Sequence, residues 1–226
     1  MSGFAQWFHQ LNFDRLIVML ITAASCLLCI CVHETCHGLA ALAMGDTTAK
    51  DAGRLSLNPL RHVDLFGFLM LVIVRFGWAK PVPVNASRFR NPRLGMALTA
   101  LAGPVSNVIL AAVSLLISYI LLFFQFRHSW LGYFTSFFSY TAVISCGLAV
   151  FNLIPIPPLD GSKVLFSLLP VKPFRVLLRY ERYGMFLLMG LLLLGVLDTP
   201  LSVMRDGLLS LLERVCFWPV KLLLQI

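Results

Sequence analysis

The segment His33-Glu34-Thr35-Cys36-His37 places two imidazoles four residues apart, with a carboxylate directly after the first. On an α-helix a four-residue step turns the chain by about 400°, so both rings share one face, one turn apart, and define two corners of a metal site. Glu34 lies about 100° around the same turn, within reach of a water held by such a metal without being a ligand itself. The chemistry suited to this spacing is metal-assisted hydrolysis, with the carboxylate moving the protons.

The surroundings sharpen that reading. From Leu16 to Val32 the chain has no charged residue, and an acid beside such a run costs about 2.5 to 3.5 kcal/mol on insertion scales, so an ionisable cluster there is functional by default. The whole chain is similarly apolar: 226 residues, 59% hydrophobic, 12% charged, mean hydropathy +0.86, against about 25% charged in soluble domains. It is the composition of a membrane protein with no room for a large aqueous domain. The net charge of +8 comes without a basic run or nucleic-acid motif, which excludes a nucleic-acid partner; basic loops facing cytoplasm and anionic lipid account for it.

A catalytic zinc takes three protein ligands and keeps a fourth position for water. Asp160 is the strongest candidate for the third. It ends the segment NLIPIPPLD, in which Pro155, Pro157 and Pro158 force the helix to unwind, and irregular backbone at membrane depth is tolerated only when it is buried in protein or lines a cavity. The competing reading is that Asp160 caps the helix that follows, since Asp-Gly-Ser is also ordinary turn chemistry. Asn107 and Asn152 are weaker candidates, either for orienting substrate and stabilising an oxyanion or for hydrogen bonding between packed helices. His62 reads as a surface-loop residue, and His9 and His128 as interfacial. Trp7, Trp78, Trp130 and Trp218 read as a membrane-boundary belt. Gly45, Gly53 and Gly161 read as turn glycines. The six cysteines read as small apolar filler without disulfides.

The elements that must position these groups follow from the apolar runs. The expected fold is an all-α polytopic membrane protein, a bundle of about four to six transmembrane helices forming one domain over 1–226, with a core at 16–162 and C-terminal helices at 163–226. The first helix starts at Leu16 and continues through the HETCHGLAALAM segment to Gly45-Asp46. Residues 45–64 have turn chemistry with room for a small membrane-surface β-hairpin. Leu65–Val74 is too short to span and reads as re-entrant. The prolines of GWAKPVPVNASRFRNPR forbid a regular helix. Leu94–Phe126 is a second span with a kink or irregular start at Gly103-Pro104, Ser129–Leu159 a third, Tyr183–Leu197 a fourth and shorter one. The tail 201–226 reads as an interfacial or bundle-packed helix. Eight Lys or Arg lie between Lys50 and Arg93 and five between Lys163 and Arg182, against one at Arg127, which points both rich loops, and with them the candidate site, to the cytoplasmic side of the cell membrane.

HETCHGLAA, GRLSLNPLRHVDLFG, GWAKPVPVN, ALAGPVSN and NLIPIPPLDG, in that order, resemble the site-2 protease family of intramembrane zinc metalloproteases, peptidase family M50. The resemblance is to the compact prokaryotic branch without PDZ or CBS domains and covers roughly Cys31 to Ser162. It implies one Zn2+ per chain held by His33, His37 and Asp160, Glu34 as general base, and membrane-anchored protein substrates cut within or near a transmembrane segment. Leu65 stands where the family usually has proline, and Cys36 where it often has a small or apolar residue. A divalent-metal transporter and a membrane scaffold with a structural metal remain as alternatives. The first would be expected to show repeated interrupted helices, of which the sequence has none, and the second a fourth protein ligand.

Overall fold

The computed structural model describes residues 13–62, 64, 80–125, 130–169 and 183–224, and all the elements described are helical. They are α1 (Phe13–Ala43), α2 (Thr48–Asp51), α3 (Pro92–Gln125), α4 (Leu131–Asn152), α5 (Asp160–Leu168), α6 (Tyr183–Leu193) and α7 (Asp198–Leu224), with 3-10 turns at Pro59–Arg61 and Ala86–Arg88. α1, α3 and α4 are each long and apolar enough to cross a membrane. A fourth span results if α6 and α7, bent by 88° at the break between them, are taken together. At 31 and 34 residues, α1 and α3 exceed the roughly 20 residues that a bilayer core requires, so each has turns to spare for the site.

Lipid supplies no hydrophobic drive between helices, so the seams of such a bundle form from small residues and polar bonds while large side chains face outward. That distribution is present. Cys29, Ala111, Ala142, Cys146 and Ala149 are buried, while Met19, Ile109, Phe186 and Leu193 are exposed. The α1–α4 seam is stitched by Ser25 Oγ donating to the Phe137 carbonyl (3.0 Å) and by Ser145 Oγ donating to Cys29 Sγ (3.1 Å). All six cysteines are free. α3 is the central element, touching α1, α4, α5 and α7. Of the two readings of the tail, packing on the bundle is the one found: Leu208, Leu209, Leu212 and Cys216 of α7 lie against Ala111, Leu115, Ala142 and Cys146.

Three expectations meet a different structure. Of the two readings of Gly103-Pro104, the irregular start does not hold: α3 begins at Pro92 and runs through Pro104, a proline that packed neighbours make tolerable inside a membrane helix. Among the described residues no strand is present, and 45–62 instead form the one-turn α2, an extended stretch and a 3-10 turn. His62 is buried at 1% exposure rather than on the surface, its Nε2 2.6 Å from the Ser56 carbonyl. The re-entrant element at 65–74, along with His9, His128, Trp7 and Trp78, lies outside the described residues.

The loop after α1 is tied to the proline-rich segment by Asp46. Its carboxylate, fully buried, accepts from the Thr48 amide (2.9 Å) and hydroxyl and from the Asn85 amide (2.6 Å). Burial opposes the charge, but these hydrogen bonds outweigh it and hold the carboxyl below the usual carboxylate range. The knot fixes one end of residues 80–85. Lys80 N–H, donating to the His62 carbonyl at 2.8 Å, fixes the other.

Candidate metal centre

His33 and His37 project from the C-terminal half of α1, and the turn between α4 and α5 brings Asp160 against them. Nε2 of His33 and Nε2 of His37 are 2.9 Å apart, and Asp160 Oδ2 lies 3.2 Å from the first and 3.0 Å from the second. All three side chains are buried. A tetrahedral zinc with bonds of about 2.0 Å has ligand-to-ligand edges of about 3.3 Å, so this triangle is close to the size such an ion needs. Three lone pairs converging in a buried space also require a shared cation or proton. Two imidazoles and a carboxylate are the donor set of a catalytic zinc site with one position open.

The far side of each ring is held as well. His37 Nδ1 donates to the Thr99 carbonyl at 2.6 Å, which leaves Nε2 as the lone-pair nitrogen. His33 Nδ1 is 3.1 Å from the Asn107 amide, and Asn107 is completely buried with its Oδ1 unpartnered. The two ends of a carboxamide are sterically alike, and the orientation that turns Oδ1 toward a protonated Nδ1 removes the orphan and gives His33 the same tautomer as His37. Asp160 uses Oδ2 toward the histidines, while Oδ1 is 3.6 Å from Lys163 Nζ, so the second oxygen has a cation of its own. The residues therefore fit a zinc ion.

Two glycines allow this convergence. α3 crosses directly over the imidazoles at Gly103, where a Cβ would lie 2.5 Å from Cε1 of both rings. Gly161, directly after Asp160, lets the start of α5 sit on the preceding turn, where a Cβ would be 2.5 Å from the Leu153 carbonyl carbon and 2.7 Å from the Ile154 oxygen. Gly161 is thus needed for close packing rather than as a turn residue.

Glu34 is outside the converging set. It faces a cavity of about 500 Å³ shared with both histidines, Asp160, Asn152 and Lys163, and closed on one side by Pro81, Val82 and Val84. Its Oε2 accepts from Val82 N–H at 3.0 Å. Asn152 borders this cavity while its Nδ2 donates to the Leu148 carbonyl at 3.0 Å; Asn107 is behind His33 and does not border it. Thr99, Gly103, Lys163 and Val82 carry no signal of a role in the site in the sequence. Only Gly103 and Lys163 left a trace, one as a glycine before proline and the other as a charge counted toward orientation.

Comparison of the sequence with known proteins finds the profile of peptidase family M50 over residues 119–195, a stretch that holds Asp160 but not the two histidines. YwhC of Bacillus subtilis (strain 168), an inferred zinc metalloprotease, is 38% identical over 192 residues, covering 81% of this chain and 87% of YwhC. The chain belongs to peptidase family M50. Rip2 of Mycolicibacterium smegmatis, likewise an inferred zinc metalloprotease, is 30% identical over 188 residues, 80% of this chain and 70% of Rip2. No solved structure matches the chain. The M50 assignment makes this a membrane protein of the site-2 protease family.

Proposed function

We propose that the chain is an intramembrane zinc endopeptidase that hydrolyses peptide bonds within or near transmembrane segments of membrane-anchored proteins. The observation that carries this reading is the buried triangle of His33, His37 and Asp160 with Glu34 beside it but outside it, facing a cavity. A structural metal site has no use for that carboxylate. The domain is read as one unit over residues 1–226, with one zinc per chain.

Zinc bound there would lower the pKa of a coordinated water toward about 7 and polarise the scissile carbonyl. Glu34 accepts the proton of the attacking water and returns it to the leaving amine. Thr99 and Asn107 hold the two rings in the tautomer that leaves Nε2 free, and Lys163 occupies the oxygen of Asp160 that points away from the histidines. Asn107 is therefore a positioning residue for His33 in this reading, and Asn152, on the cavity wall, is the one placed to meet substrate. A transmembrane helix hides its carbonyls in its own hydrogen bonds, so the substrate must unwind before attack. Residues 80–85, kept out of helix by Pro81 and Pro83, offer an extended edge for it to pair with.

The direct test is co-expression with candidate single-span membrane proteins. Cleavage fragments that disappear on zinc chelation and return with added zinc are expected; fragments indifferent to chelation, or metal flux without fragments, would reject the reading. The basic loops support an orientation with the site toward the cytoplasmic side of the cell membrane. With the native cysteines removed, an impermeant thiol reagent on intact cells is expected to label Trp130→Cys and not Arg90→Cys; the reverse pattern would invert the orientation.

A further inference from the structure

Residues 80–85 carry an unusual hydrogen-bond arrangement. Of residues 81–83, only Val82 has an N–H, because Pro81 and Pro83 have none. Lys80 and Val82, each preceding a proline, are restricted to extended backbone. Val82 is 8% exposed, and a buried amide must have a partner. Its partner is Glu34 Oε2 at 3.0 Å, the carboxylate assigned to move protons. The segment cannot follow that carboxylate, since the Lys80 amide is fixed to the His62 carbonyl and the Asn85 amide to Asp46. Gly38 of α1, against which Val82 Cγ1 packs, holds it from a third side.

Resting on the endopeptidase reading above, we propose that the Val82 amide is a shared donor: it holds Glu34 when the cavity is empty and passes to a backbone carbonyl of an extended substrate segment when the cavity is filled. Without substrate, movement of Glu34 off the amide strands a buried N–H, which keeps the carboxylate back. A substrate strand lying along the Val82 edge supplies the missing acceptor. It frees Glu34 for the attacking water in the same event that registers the chain against the metal centre. The device selects for unwound substrate, because a peptide still in helix has its carbonyls engaged and cannot relieve the amide.

The test removes only this donor. Val82→Pro deletes the N–H in a segment already bracketed by prolines. Replacement of Val82 by its α-hydroxy analogue, which turns the amide into an ester, does so without a ring and serves if the proline variant fails to fold. The reference is valine introduced by the same route. With a cleavable single-span protein in detergent, the expected result is a KM raised severalfold, below the roughly tenfold of one whole hydrogen bond because the bond to Glu34 that substrate displaces offsets part of it, with kcat within about twofold and zinc content unchanged. A fall in kcat at constant KM overturns the proposal, because the amide then only orients Glu34, and so does no change in either constant. If Glu34→Gln stays fully active, the endopeptidase mechanism itself fails. If Glu34→Gln is inactive and loss of the Val82 donor leaves KM unmoved, only the shared donor fails.

Discussion

Gly103→Ala is expected to empty the metal centre while leaving the bundle folded. An added methyl would overlap His37 Nε2 and lie 2.5 Å from Cε1 of each ring, so either the imidazoles tilt or α3 moves away. Neither preserves a triangle whose edges are 2.9, 3.2 and 3.0 Å, because zinc sites tolerate ligand displacements of only about 0.2 Å. Removal of a group that merely supports a ligand costs about 10 to 100-fold in metal affinity, and displacement of two ligands together should reach at least the upper end of that range. Overpacking of this kind destabilises by about 1 to 3 kcal/mol, which a helical bundle of this size survives. Metal analysis alongside far-ultraviolet circular dichroism checks it. Gly190→Ala and Gly207→Ala, where an added Cβ meets nothing within 4 Å, serve as controls that keep their zinc. Full zinc in the Gly103 variant would mean that α3 does not cross the site as closely as described.

The parts of this site that could be read from sequence are those in which a side chain carries both the chemistry and the spacing. The His33–His37 pair is visible because helix geometry alone puts both rings on one face. Asp160 is visible because three prolines before an acid at the end of an apolar run require a cavity. The role of Gly103 is hidden for the opposite reason: a glycine before a proline signals a kink, and only the packed helices reveal that the missing side chain is room for two imidazoles. The Val82 amide and the Thr99 carbonyl are backbone groups with no side-chain signature. The expected strands at 45–64 rested on turn residues, but Asp46 gathers the donors locally and across to Asn85, which stabilises a one-turn helix and a loop. The spans were legible as runs of hydropathy, whereas the 88° bend between α6 and α7 follows from Gly195 at a φ of 67°, a conformation that composition does not announce.

Glu34→Gln separates proton transfer from metal binding. Glutamine keeps the size of the side chain and an oxygen to accept from Val82 N–H, and Glu34 is not among the converging ligand atoms, so fold and zinc should both be retained. What is lost is the basic carboxylate. General acid–base catalysis contributes about 10² to 10⁴ in rate, and a loss of at least that order is expected where, among the described residues, the other carboxylate and imidazoles on the cavity are those of the triangle itself.

Zinc content and cleavage rate, determined on one preparation of wild-type and one of Glu34→Gln protein with the same single-span substrate, decide whether Glu34 moves protons without holding metal. About one zinc per chain is expected in both, with cleavage at least about 10²-fold slower in the variant. Cleavage at the wild-type rate, or loss of the zinc along with the activity, would contradict that role.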